Sequence, residues 1–206
     1  MNNFDRVAPI YDLASAIIFG NSLRKAQACF LSSVPPDANV LILGGGTGYV
    51  LERLLSSNST CRIWYVEPSQ EMIDRAKRRP FADNARTRFI HGTLDNIDTT
   101  VVFDVIVMQF FLDLFSNDQV AALLSKLDNY SHSKTAVIAA DFVNQKWWHD
   151  AMLRVMYRFF GITAQLDVAR LPDWNEALDA GGYAEEFSSY FYGTFIKAGL
   201  FLKKLR

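Results

Sequence analysis

The residues best suited to chemistry stand in two short stretches. VLILGGGTGYV, residues 40–50, runs an apolar segment into Gly44, Gly45, Gly46 and Gly48, and WYVEPSQEM, residues 64–72, ends a second apolar segment on Glu67. Glycines let a turn take positive φ, and without Cβ atoms the backbone can lie directly against a ligand. A carboxylate about 20 residues after such a loop, at the mouth of the next strand, can accept two hydrogen bonds from the vicinal hydroxyls of a ribose. A glycine triplet alone often serves only a tight turn. Paired with Glu67, it points to a nucleoside-like ligand.

The spacing selects among such ligands. Dinucleotide enzymes carry G-x-G-x-x-G, whose third glycine permits close helix packing while the helix N-terminus receives a pyrophosphate. Here Tyr49 holds the third-glycine position and Gly48 comes one residue earlier, giving G-x-G-x-G. S-adenosylmethionine has no phosphate to cradle, and its carboxypropyl arm needs only exposed amides and a close backbone. The pattern favours S-adenosylmethionine over NAD, although a nicotinamide dehydrogenase would share the loop and the acid.

The elements that must position these residues alternate along the chain. Val40 to Leu43, WYV before Glu67, RFI before His91, DVIVM from Asp104 and TAVIAA from Thr135 are short, β-branched and apolar on both faces. A parallel sheet covered by helices on both sides requires such strands. Between them, Gly48 to Leu55, Ser69 to Arg78 and Ser116 to Tyr130 have helical spacing, the last with a Ser or Asn N-cap. The expected fold is α/β: a Rossmann-like, doubly wound, mostly parallel sheet. Beyond Asp141 the pattern changes. Lys146 to Gly161 (KWWHDAMLRVMYRFFG) reads as an aromatic helix too apolar for an ordinary surface. A short helix after Pro172, a Gly181-Gly182 cap and two strands, Glu185 to Tyr192 and Thr194 to Lys204, would close the chain as an antiparallel hairpin turned at Gly193.

With 206 residues, 50% hydrophobic and 21% charged, the chain is expected to form one ordered domain. Its segments would be a helical cap at 1–35, a cofactor-binding core at 36–145, and an aromatic lid helix and hairpin at 146–206. A net charge of −1 supplies no field for nucleic acid. The basic run from Arg75 to Arg88 reads as a solvated face and loop. Cys29 and Cys61 form no metal or disulfide pattern, so no metal is expected and both read as buried thiols in a reducing compartment. The apolar patch from Ala14 to Phe19 is too short to span a bilayer and no signal pattern precedes it, which makes the cytoplasm the default location.

These stretches resemble class I S-adenosylmethionine-dependent methyltransferases of small-molecule type. VLILGGGTG is similar to motif I, VEPSQEMIDRAK to the acidic ribose-binding segment, FIHGTLDNI to the adenine-contacting loop and FDVIVMQFFLDLF to the motif IV strand, in matching order through about residue 145. FDRVAPIYDLASAIIFG resembles the N-terminal cap of ubiquinone and menaquinone C-methyltransferases. The resemblance implies that Gly44, Gly45, Gly46 and Gly48 pass the methionine arm and that Glu67 holds the ribose. Pro68 and Met72 would border ribose and adenine, Thr93 and Leu94 would contact adenine, Gln109 and Phe110 would lie near the sulfonium, and Tyr11 would close the pocket. Four positions depart from the pattern: Ile42 and Thr93 stand where acidic residues are common, and Asp113-Leu114 stand where histidine-like residues occur.

Methyl transfer is an in-line displacement that mainly needs alignment and exclusion of water, so a general base is optional. Asp113, Asp141, His149 and Tyr11 are the candidates; Asp141 could instead cap the following helix or pair with a nearby cation, and His149 could be structural. Trp147, Trp148, Tyr157, Phe159 and Phe160 would line a cavity for a hydrophobic or aromatic acceptor, pack the helix onto the sheet, or form a homodimer contact. The expected function is a methyltransferase for a small, apolar molecule. Its alternative is a catalytically impaired adenosylmethionine-binding or scaffold protein of the same fold.

Overall fold

The computed structural model describes residues 19–58, 60–80, 85–154 and 171–204. The expected cap residue Tyr11, and Tyr157, Phe159 and Phe160 of the aromatic helix, lie outside the described residues.

Seven strands form one sheet in the order β3-β2-β1-β4-β5-β7-β6. They are β1 (Asn39–Leu43), β2 (Arg62–Glu67), β3 (Thr87–His91), β4 (Phe103–Gln109), β5 (Ser131–Phe142), β6 (Tyr183–Phe191) and β7 (Ile196–Lys203). β1 to β5 run parallel, while β7 pairs antiparallel with β5 and β6 with β7. This is the expected Rossmann-like sheet with an antiparallel hairpin at one edge. Residues 40–43 and 105–109 are buried throughout. Strands apolar on both faces must be covered on both sides.

The cover divides between two layers. Helices α2 (Tyr49–Ser57) and α3 (Gln70–Lys77) bury Val50, Leu51, Leu54, Leu55, Ile73 and Ala76 against Val40, Ile42, Ile63 and Tyr65. On the opposite face α4 (Asn117–Leu127) and α5 (Trp174–Ala180) bury Val120, Leu124, Leu127, Trp174 and Leu178 against Leu41, Leu43, Ile106 and Met108. Helix α1 (Ser22–Ala28) packs over β6 and β7. Helix starts follow the sequence: Ser69 accepts from the Met72 N–H, and Ser116 and Gln119 form a reciprocal capping box.

Three details differ from the sequence-based expectation. β5 begins at Ser131 rather than Thr135, because a bulge between Phe103 and Val105 lets the polar residues before Thr135 continue the ladder. There the Thr135 hydroxyl donates to the Phe103 carbonyl and accepts from the His132 N–H. The hairpin turns over Tyr192, Gly193 and Thr194, all with positive φ, rather than at Gly193 alone. Cys61 is buried as expected, but Cys29 is only half-buried. Among the described residues no helix is long and apolar enough to cross a membrane.

Candidate functional site

Parallel strands deliver their following loops to one edge, and the strand order reverses direction there between β1 and β4. The glycine loop after β1, Glu67 at the end of β2, the Gly92-Thr93 turn after β3 and Gln109-Phe110 at the end of β4 share this carboxyl edge. A crevice at such a switch point is where open α/β sheets bind ligands.

The glycine loop is held by its neighbours. The amides of Gly44 and Gly45 both donate to the Val66 carbonyl, at 3.0 and 3.4 Å. Gly46 is gripped on both sides of its Cα: its N–H donates to Glu67 Oε2 at 2.9 Å and its carbonyl accepts the Tyr65 hydroxyl at 2.7 Å. Glu67 Oε1 also accepts the Ser69 N–H at 3.0 Å. A carboxylate offers about four acceptor positions, enough to take backbone donors and ribose hydroxyls together.

Gly45 is demanded by space, and Gly48 by space and by φ. A Cβ on Gly45 would stand 2.6 Å from the Tyr65 hydroxyl oxygen, and one on Gly48, at φ +85°, would stand 2.7 Å from the Ala76 Cβ. Gly48 therefore does what the third glycine of a dinucleotide loop does, bringing helices close, from one position earlier. The space beside Gly46 is open, with nothing within 4 Å of a notional Cβ.

The remaining expected contacts have varied placements. Pro68 presents its carbonyl to His91 Nε2 at 2.9 Å, and the Met72 N–H is taken by the Ser69 side chain. Thr93 caps the short turn Leu94–Asn96, its N–H donating to Asn96 Oδ1. The Leu94 side chain is buried in the core, so only its backbone can meet a ligand. Phe110 has a positive φ of 52°, its N–H donating to the Ala140 carbonyl and its ring against Phe142. Gln109 is 6% exposed and neither its amide nitrogen nor its amide oxygen has a partner. A buried side-chain amide left unsatisfied costs about 1–3 kcal/mol, and such a group at a strand end is suited to meeting a bound molecule.

Of the candidate bases, Asp141 is fully engaged, while Asp113 Oδ1 and His149 Nε2 are buried without a partner. Asp141 is 1% exposed; its Oδ2 accepts the Leu112 and Asp113 N–H groups at 2.9 and 3.1 Å, and its Oδ1 accepts the Phe142 N–H at 2.8 Å. It caps the short helical turn Leu112–Leu114 rather than the element that follows β5. Burial pushes Asp113 up to about 7 and, together with the Asp113 charge, pushes Asp141 well above the carboxylate range. Three backbone donors favour the ionised form of Asp141, whereas Asp113 Oδ1 is buried without a partner, so the proton this pair takes up belongs on Asp113. The pair was not evident from sequence, because its members are 28 positions apart in the chain.

His149 is fully buried, accepts the Gln145 N–H at Nδ1 and stands edge-on to Phe195 and Trp148. Burial lowers its pKa, which keeps the ring neutral. Trp148 packs on Phe195 and Tyr192 at the hairpin turn, while Trp147 is 86% exposed. In the basic run, Arg79 is no solvated side chain: its Nε donates to the Thr47 carbonyl at 2.9 Å and its Nη1 meets Glu52 at 3.1 Å. A groove of about 420 Å³, lined by Pro35, Pro36, Asp104, His132 and Leu202, lies at the opposite, amino edge and contains none of these residues. Among the described residues no group of three or more His, Cys, Asp or Glu could hold a metal ion.

Residues 40–133 match the family model described as a methyltransferase domain, a span that takes in the glycine loop, Glu67, Thr93, Leu94, Gln109 and Phe110. No curated protein matches the chain by sequence. Among solved structures, the chain is similar to the N-methyltransferase NodS from Bradyrhizobium japonicum, with 16% identity and a TM-score of 0.64 over 88% of this chain and 95% of that one. It is also similar to a chain in the complex containing the Haloferax volcanii Trm112 methyltransferase activator, with 14% identity and a TM-score of 0.71 over 100% and 99%. A third is the Burkholderia thailandensis 1,6-didemethyltoxoflavin-N1-methyltransferase with bound substrate and S-adenosylhomocysteine, with 16% identity and a TM-score of 0.68 over 98% and 87%. At these identities the likeness establishes the shared Rossmann-like methyltransferase fold.

Proposed function

We propose that this protein is an S-adenosylmethionine-dependent methyltransferase acting on a small, apolar or aromatic molecule. The observation that carries it is the Gly46 N–H bonded to Glu67 at the carboxyl edge, with the Gly46 carbonyl held by Tyr65, which joins the loop for the methionine arm to the acceptor for the ribose. The methyltransferase-domain match over the same residues supports it, and so does the adenosyl product bound in a protein of the same fold. S-adenosylmethionine is the cofactor, and the residues present fit it: open space beside Gly46, a buried acceptor at Glu67 and an unpartnered amide at Gln109.

When bound, the cofactor supplies an electrophilic methyl group on a sulfonium. Gly44, Gly45, Gly46 and Gly48 pass the methionine arm, Glu67 orients the ribose, Pro68, Met72, Thr93 and the Leu94 backbone border the adenosine, and Gln109 and Phe110 face the transferring group. Tyr11 closes the pocket within a 1–35 cap. The core at 36–145 and the aromatic segment with hairpin at 146–206 complete one domain. The aromatic cluster of Phe110, Phe142, Trp148, Tyr192 and Phe195 supports an apolar acceptor and exclusion of water. Asp141 is committed to backbone bonds through both oxygens and His149 through Nδ1 alone, so turnover is assigned to alignment more than to Asp141 as a base. That commitment also favours a second reading, a cofactor-binding protein without turnover; methyl loss from bound S-adenosylmethionine separates the two. A cytoplasmic location goes with the two free thiols.

Calorimetric titration with S-adenosylmethionine, S-adenosylhomocysteine and NAD tests the site. Micromolar binding of the adenosyl ligands, weakened by about 1–3 kcal/mol in Glu67→Ala, is expected. Binding of NAD in their place would make the chain a dinucleotide protein.

A further inference from the structure

The loop that must meet the cofactor is intrinsically loose: three of its five residues, Gly44, Gly46 and Gly48, have positive φ, and glycine loses more freedom on ordering than any other residue. Its bound shape must be imposed from outside. Two side chains do this without belonging to the loop. Tyr65 rises beneath it from the middle of the sheet, fully buried, and donates to the Gly46 carbonyl while its hydroxyl underlies the Gly45 Cα. Arg79, just past α3, reaches across and holds the Thr47 carbonyl with Nε, the Thr47 hydroxyl with Nη2 at 3.4 Å and Glu52 of α2 with Nη1.

We propose that Tyr65 and Arg79 are positioning residues for the cofactor, setting its affinity by clamping the glycine loop from below and from the side. This rests on the methyltransferase reading of the site. The clamp is directional. Tyr65 holds the Gly46–Thr47 peptide by its carbonyl while Glu67 accepts the N–H of the preceding Gly45–Gly46 peptide, so phenol and carboxylate together limit rotation about the Gly46 Cα between them. Burial and the Glu67 charge keep the phenol protonated, hence a constant donor. The planar guanidinium binds loop and helix at once, which an ammonium cannot reproduce. Tyr65 is not an adjunct of the core alone, since a phenylalanine would pack there and take away the hydroxyl that the Gly46 carbonyl accepts.

The test is calorimetric titration with S-adenosylhomocysteine alongside thermal unfolding, on wild type, Tyr65→Phe, Arg79→Ala and Arg79→Lys. Tyr183→Phe is the control: it removes a comparable buried hydroxyl, bonded to Ser131 where β5 begins, far from the loop. Tyr65→Phe and Arg79→Ala are expected to weaken binding about fivefold or more, Arg79→Lys by less, and Tyr183→Phe to change stability while binding stays within about twofold. Wild type that binds while Tyr65→Phe and a folded arginine variant bind equally well overturns the clamp alone, as does equal weakening by Tyr183→Phe. Wild type that binds no S-adenosylhomocysteine overturns the site and the clamp together.

Discussion

Asp113 and Asp141 give the clearest prediction for single residues. A carboxyl whose folded pKa is raised takes up protons on folding, so its ionisation costs stability as pH rises. For Asp113 the window runs from the usual 3.8 to about 7, with the cost fully present above it. Asp113→Asn, which keeps the shape and removes the charge, is therefore expected to raise the unfolding temperature at pH 8 and leave it nearly unchanged at pH 4; a rise of equal size at both values would remove the charge explanation. His149 has the opposite sign, because burial lowers its pKa and the stability it contributes is lost as pH falls below the ordinary histidine range. Glu67 and the glycines were legible in the sequence, since their chemistry is local and their spacing reports it. The Asp113–Asp141 pair and the grip of Tyr65 and Arg79 on the loop were not. Each depends on a distance across the sheet, and Tyr65 and Arg79 lie in stretches that read as a buried strand and a solvated basic run.

At the scale of elements, the βα turn and the helix caps can be separated by substitution. Gly48→Ala meets both a positive φ, worth about 1–2 kcal/mol, and a Cβ pressed on Ala76, and is expected to destabilise the fold and abolish adenosyl binding. Gly46→Ala meets open space, so thermal unfolding should show only the backbone penalty, the smaller of the two losses. Ser116→Ala removes the α4 capping box at a cost of about 1 kcal/mol and should leave S-adenosylhomocysteine affinity unchanged; a loss of affinity would couple α4 to the site. The caps at Ser69 and Ser116 and the doubly apolar strands were legible because each is written in a few adjacent residues. The start of β5 was not, because SHSK has no strand pattern and joins the sheet only through the bulge opposite Phe103. The three left-handed residues of the hairpin turn were likewise hidden, two of them not being glycine.

For the whole molecule, the sheet separates two edges of different chemistry. The carboxyl edge gathers the glycine loop, Glu67, Thr93 and Gln109, while the amino edge holds an apolar-floored groove with His132 paired to Asp104. Net charge near zero and a helical layer on each face leave the carboxyl edge as the place where strand ends, backbone amides and an unpartnered side chain converge. The most direct test is a crystal structure of the S-adenosylhomocysteine complex. The ribose hydroxyls should lie within hydrogen-bond reach of Glu67, the methionine arm across Gly44 to Gly46, and the sulfur beside Gln109. A ligand found in the amino-edge groove, or a ribose turned away from Glu67, would contradict the account.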